Sequence, residues 1–139
     1  MTHAPIFIVC LIYAGLFLVL SGALGMVRTG LVFSGRRSAN SFAVDGADVS
    51  PFVHRLTRAR DNYYENIGSL VLIVLVAFAL GRVETLNGLA YVFLGARVGQ
   101  SCVHLLSVSN VAVSLRAVFY FAQIGIQIYW VVRLLCALP

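Results

Sequence analysis

Lysine is absent from this sequence and acids are few: ten arginines stand against five acidic residues, for a formal charge of +5 and a pI near 9.6. Charged residues make up only 11% of the 139, 60% are hydrophobic, and a mean hydropathy of +0.94 excludes a soluble domain of this size. So basic a chain can mark a nucleic-acid binder. Here, however, the arginines gather in one loop and at the ends of apolar runs and make no soluble basic face. The three cysteines, Cys10, Cys102 and Cys136, lie in apolar stretches without CxxC or Cys/His spacing. That pattern excludes a disulfide framework and a zinc site, and leaves small core residues. No Ser/His/Asp or Cys/His constellation offers a protein nucleophile, and no metal site is indicated. The first apolar run, "PIFIVCLIYAGLFLVLSGALGMV", holds no acid, which sets aside a small multidrug exporter. Repeats, low-complexity tracts and a second domain are missing too, so residues 1–139 read as one domain.

What remains suits hydrocarbon. Stretches near 5–27, 66–82, 86–106 and 115–136 approach the roughly 20 mainly apolar residues that cross a bilayer. The fold class expected is an all-α integral membrane protein, a four-transmembrane-helix up-down bundle, because the second and third connections are short enough to pack neighbours antiparallel. The first stretch is too long for a signal-peptide core, has nothing basic before it, and is followed by Arg28, Arg36 and Arg37. The loop over 28–50 and its continuation through Arg55, Arg58 and Arg60 carry most of the arginine, whereas "GRVETLNG" holds only Arg82 and the third connection leads to Arg116. By the positive-inside rule the 1–2 and 3–4 loops are cytoplasmic and both termini outside. The lysine-free composition and lean loops point to a bacterial inner membrane. Tyr63 and Tyr64 read as interfacial belt, Tyr129 with Trp130 as an anchor at the outer interface, and Arg36, Arg37 and Arg133 as topology or headgroup contacts.

"DVSPF" supplies Ser50 as an N-cap and Pro51 as the first helical residue. Helix two is therefore predicted to start well before its apolar part and to carry "RLTRARDNYYEN" about three turns beyond the core. On a helix, Arg55, Arg58, Asn62, Glu65 and Ser69 share one face, at alternating spacings of three and four. Helix three repeats the device with Arg97, Gln100, Ser101 and His104, and helix four with Arg116, Tyr120, Gln123 and Gln127. Such groups are costly in lipid and should face one another, a subunit interface or a wet cavity. One reading is inter-helical glue, with Glu65 neutralising Arg58 and the rest bonding across the bundle. The other starts from Arg28, Arg55, Arg58, Arg97 and Arg116 converging on the cytoplasmic half with Glu65 as the main acid. That excess asks for an anion whose carboxylates arginine forks clamp, while Glu65 and Asn62 receive an ammonium or amide; anionic lipid headgroups are the alternative ligand.

"RARDNYYEN" matches the pattern R-A-x-x-N-x-x-E in register through Arg58, Ala59, Asn62 and Glu65. With the four expected helices it closely resembles the MAPEG family, the membrane-associated proteins in eicosanoid and glutathione metabolism, over essentially the whole chain. "GMVRTG" places Arg28 where some members carry a glutathione-contacting arginine. "ARVGQSCVHL" is similar to the family's A/G-R-V-x-H-x-x-x-Y segment, with Gln100 at the histidine position and His104 at the aromatic one. "LRAVFY" resembles the R-S-V-x-Y opening of helix four, reached through "SVSNVAVSLR", a longer connection than the family's R-A-P-x-R type. The resemblance implies a homotrimer that binds glutathione between neighbouring subunits, open to the cytoplasm and the bilayer. It implies Arg28, Arg58, Asn62 and Glu65 as tripeptide contacts, with Arg97, Gln100 and His104 from helix three, Tyr120 beside them, and Arg116 stabilising the thiolate.

Two functions follow. One is a glutathione transferase or peroxidase acting on a hydrophobic electrophile or lipid hydroperoxide that arrives through the bilayer. The other is a non-catalytic structural or regulatory subunit of a larger membrane complex, holding lipid or the tripeptide without turnover.

Overall fold

The computed structural model describes residues 4–138. It consists of α1 (Pro5–Phe33), α2 (Pro51–Ala79), α3 (Glu84–Leu106) and α4 (Asn110–Leu135), all long and apolar enough to cross a membrane. Among the described residues there is no strand, so the chain is the all-α four-span bundle the sequence led us to expect.

The helix ends follow from local chemistry. Ser50 Oγ accepts from the Val53 amide at 3.1 Å and Pro51 opens α2, as "DVSPF" indicated. At the C-termini of α1 and α2, Gly35 and Gly81 adopt φ of 68° and 64°, and the Arg36 and Arg82 amides bond back to the Leu31 and Ala77 carbonyls. Three boundaries differ from the hydropathy reading. α1 continues to Phe33, so Arg28 is helical and the loop shrinks to 34–50. α2 ends at Ala79, where the Gly81 turn stops it short of 82. α4 begins at Asn110 rather than 115, because Ser109 caps the Ala112 amide (3.2 Å) and Ser114 turns its hydroxyl onto the Asn110 carbonyl (3.2 Å). The apparent long connection "SVSNVAVSLR" is thus a short link over 107–109 followed by helix.

α2 and α3 each pack against all three other helices, α3 and α4 share the most extensive interface, and α1 and α4 do not meet. An aromatic chain crosses the bundle from Tyr63 to Tyr13 (centroids 4.8 Å), on to Phe93 (6.3 Å) and then to Trp130 (5.5 Å), one residue from each helix. Tyr63 and Trp130 are therefore core residues and not interfacial anchors. The Tyr13 hydroxyl donates to the Tyr63 carbonyl and Ser101 donates to the Tyr63 hydroxyl, so both tyrosine hydroxyls are met inside, whereas Trp130 Nε1 has no partner among the described residues. Tyr64 and Tyr129 do face outward. Of the cysteines only Cys10 packs against the core; Cys102 and Cys136 are exposed on the helix surface.

Candidate functional site

Because Ser50 and Pro51 start α2 early, its first turns stand beside the ends of α3 and α4, where a cavity of about 490 Å³ opens between the three helices. From α2 it receives Arg58, Asp61, Asn62 and Glu65; from α3, Gln100 and His104; from α4, Arg116 and Tyr120. Val113, Ala117 and Phe121 complete the α4 wall as an apolar stripe beside the polar one. Seven of the nine residues singled out from the sequence thus meet in one place: Arg58, Asn62, Glu65, Gln100, His104, Arg116 and Tyr120.

The two others do not join them. Arg28 turns to the 34–50 loop, donating to the Ala43 carbonyl at 3.0 Å and lying 5.5 Å from the Phe42 ring, beside a separate cavity. Its partners there are loop carbonyls and an aromatic face, which a hydropathy reading of the sequence has no means of assigning. Arg97 is fully buried, its guanidinium carbon 5.0 Å from the Tyr63 centroid and 5.5 Å from that of Tyr13, and none of its three side-chain nitrogens has a hydrogen-bond partner in the described structure. Ring faces take the place of a counterion. Arg55 also leaves the group, its Nε donating to the Leu105 carbonyl at 3.0 Å, where a cation complements the end of α3.

Both readings of the polar stripes find partners here. Gln123 Nε2 donates to Gln100 Oε1 at 3.0 Å, with both residues buried, which is inter-helical glue. Asn62 and Arg116 meet the two ring nitrogens of His104 at 2.7 Å and 3.2 Å, so α2, α3 and α4 are joined through one imidazole. The expected neutralisation of Arg58 by Glu65 is not formed: among the described residues Glu65 has no ion pair, and both side chains remain exposed to the cavity. The i, i+7 spacing that puts them on one face also sets their Cα atoms two turns apart, about 10.5 Å along the axis, so a pair would need both side chains fully extended toward each other.

That separation is itself a measurement of the site. Seven residues of helix rise about 10.5 Å, and an extended tripeptide spans about 10–11 Å at most. Along this length the cavity offers guanidinium groups (Arg58, Arg116), carboxylates (Asp61, Glu65) and neutral hydrogen-bonding groups (Asn62, Gln100, Tyr120), a set that fits a small zwitterion with more than one carboxylate. Asp61 was missed from the sequence, although it lies at i+3 from Arg58 and i−4 from Glu65 and so repeats the stripe's own spacing. It pairs with Arg60, whose Nε donates to it at 2.8 Å. Of the apolar wall at 113, 117 and 121, Val113 lies ahead of the span expected from 115, and Ala117 and Phe121 carry no polar signal to set them apart from the rest of an apolar helix.

No curated protein and no solved structure matched the chain. The family model described as "MAPEG family" matches residues 6–136, which takes in all four helices and every residue of the cavity. The chain belongs to the MAPEG family of integral membrane proteins, whose members include glutathione transferases, glutathione peroxidases and eicosanoid synthases.

Proposed function

We propose that this protein binds glutathione in the cavity between α2, α3 and α4 and uses it as cosubstrate in a transferase or peroxidase reaction on hydrophobic molecules. The observation that carries the reading is the charge pattern of that cavity. Arg58, Asp61 and Glu65 are spread over about the length of a tripeptide on the α2 wall, and the α4 wall carries Arg116 and Tyr120 beside an apolar stripe. Arg58 clamps a carboxylate of the tripeptide as a fork, and Glu65, which has no ion pair among the described residues, receives its ammonium.

Glutathione supplies a thiol nucleophile that the lining of the cavity does not hold. A free thiol ionises near pH 8.5, and a guanidinium beside it lowers that value and raises the thiolate fraction at neutral pH. In this reading Arg116 plays that part, a guanidinium lining the cavity with Tyr120 one turn further along α4. Val113, Ala117 and Phe121 give an apolar electrophile or lipid hydroperoxide a lateral approach from the bilayer. The assembly is a homotrimer in which Arg28, outside its own chain's cavity and bonded there only to exposed loop carbonyls, exchanges these for the tripeptide at the site of a neighbouring subunit. The chain sits in a bacterial inner membrane with its termini outside and the arginine-rich 1–2 loop in the cytoplasm, where glutathione is abundant.

The test is turnover by purified protein in lipid nanodiscs, with glutathione and an activated aryl halide or a fatty-acid hydroperoxide. Conjugate or alcohol product that depends on the protein, and that falls at least tenfold in Arg116→Ala while tripeptide binding persists, is the expected result. Binding without turnover on either substrate class would instead identify a non-catalytic subunit, and stoichiometric partner proteins on purification would then be sought.

A further inference from the structure

The imidazole of His104 occupies an unusual position: buried, on α3, with a donor group from a different helix at each ring nitrogen. Arg116 Nη1 lies 3.2 Å from Nδ1, and the Asn62 carboxamide nitrogen lies 2.7 Å from Nε2 and 3.2 Å from the Arg58 carbonyl oxygen. A neutral imidazole has one lone pair to offer and one N–H to give. A guanidinium can only donate, so the contact to Arg116 fixes the lone pair on Nδ1 and the ring proton on Nε2. Of two donors competing for one lone pair, the charged one makes the stronger bond. In that tautomer the Asn62 carboxamide, whose nitrogen and oxygen exchange places by a flip, meets the Nε2–H with its oxygen and gives up the 3.2 Å bond of its nitrogen to the Arg58 carbonyl.

We infer that His104 is a positioning residue for Arg116: through Nδ1 it holds one amino group of the guanidinium, in the Nε2–H tautomer, so that the remaining N–H groups face the cavity. The chain needs such a device. Arg116 sits on the first turns of α4, half-buried, and has no carboxylate partner among the described residues. A long side chain so placed samples many rotamers, and each contact it makes with a ligand costs the ordering of those rotamers. A buried acceptor that does not itself bind the ligand removes part of that cost in advance, and the same ring links the fixed arginine to Asn62 on the opposite wall. His104 thus acts on the ligand through Arg116 and Asn62.

The consequence for chemistry rests on the glutathione reading above, whereas the tautomer and the histidine–arginine contact do not. Two measurements separate them. In protein carrying ¹⁵N-histidine and reconstituted in bilayers without any ligand, His104 is expected to show an unprotonated Nδ1 and a protonated Nε2, and in Arg116→Ala this strict preference is expected to be lost. A protonated Nδ1 in the wild-type protein overturns the inference whatever the ligand. The second measurement titrates the ultraviolet thiolate band of bound glutathione against pH. His104→Ala is expected to move its midpoint up by about one pH unit, or about tenfold less thiolate at a fixed pH below it. His104→Asn, whose side-chain oxygen falls near the place of Nδ1, is expected to restore the midpoint. Affinity for S-methylglutathione, which has no thiol to ionise, should weaken in His104→Ala only through the lost positioning of Arg116 and Asn62, by clearly less than the roughly tenfold change in thiolate, and should return in His104→Asn. Should His104→Asn behave as His104→Ala, or should both weaken S-methylglutathione in step with the thiol, His104 is packing or a direct ligand contact and the inference is wrong. Failure of the wild type to bind glutathione, with the tautomer as stated, would reject the functional reading and leave the histidine–arginine contact standing.

Discussion

Gly35 and Gly46 form a natural experiment within the 34–50 loop. Both take a left-handed conformation, with φ of 68° and 69°. Gly35 has open space where a Cβ would be, whereas a Cβ on Gly46 would lie 2.9 Å from Thr57 Oγ1, 2.9 Å from Val53 Cγ1 and 3.4 Å from the Val53 carbonyl oxygen. Neither neighbour can step aside. Thr57 is fully buried and its hydroxyl donates to the Val53 carbonyl at 2.9 Å, and Val53 is buried against Leu24 and Leu56. Alanine at either site costs about 1–2 kcal/mol for the left-handed backbone and recovers about 0.4–1 kcal/mol from the stiffer unfolded chain. The net for Gly35→Ala is then about 1 kcal/mol. Overpacking at Gly46 adds about 1–3 kcal/mol, so Gly46→Ala loses about 2–4 kcal/mol. The loop opens locally before the bundle melts, so the assay is amide hydrogen exchange of residues 46–53, where the Gly46 and Val49 amides bond to the Ala43 and Gly46 carbonyls. At about 1.4 kcal/mol per tenfold, Gly46→Ala should speed exchange by roughly 30- to 1,000-fold and Gly35→Ala by roughly fivefold. Equal effects of the two substitutions would refute the argument, because the backbone term is shared and only the packing term differs.

Two further outcomes are expected. Gln123→Leu strands the buried Gln100 amide and should cost about 1–3 kcal/mol, whereas Gln100→Leu/Gln123→Leu should recover most of it; reversible unfolding in mixed micelles across the double-mutant cycle reads the difference, and strict additivity would contradict the 3.0 Å bond. In the loop, desolvation works to raise the Asp48 carboxyl, but the Ala43 backbone amide and the Arg37 guanidinium outweigh it and hold the group below the usual carboxylate range. A folded-state value below the unfolded one contributes stability above the ordinary aspartate pKa of about 3.9, lost as pH falls through the depressed folded value. Protection of the loop amides, taken relative to intrinsic exchange at each pH, should therefore fall on acidification over that window in the wild type and not in Asp48→Asn, and an unchanged acid response in the variant would rule out the Arg37 pair as its source.

What could be read from the sequence was whatever depends on period and local chemistry. Four spans, the Ser50–Pro51 start of α2 and most of the shared faces of three helices follow from residue order and are found in the structure, with three span ends displaced and Arg55 and Arg97 turned elsewhere. What could not be read depends on which neighbour a side chain finds. Arg28 and Arg97 look like the cavity arginines by position, yet one is held by loop carbonyls and the other lies over two tyrosine rings. Trp130 follows the aromatic-belt rule by its place near a helix end, but Phe93 across the bundle draws it inside. Asp61 and the start of α4 were within reach, the first through the stripe's own spacing and the second through Ser109 as a cap. His104 was visible as a polar residue on the correct face, but its two partners come from helices 42 and 12 positions away in sequence and only packing brings them together.

The central claim is that the α2–α3–α4 cavity is a glutathione site. Calorimetry of glutathione into the purified trimer or monomer, whichever the detergent preserves, tests it directly when run beside Arg58→Ala and Glu65→Ala. Each variant removes a charge-assisted contact worth about 1.5–3 kcal/mol, so the account predicts saturable binding by the wild type that weakens about 10- to 150-fold in either one. No heat of binding at millimolar glutathione, or affinity indifferent to both substitutions, would contradict it.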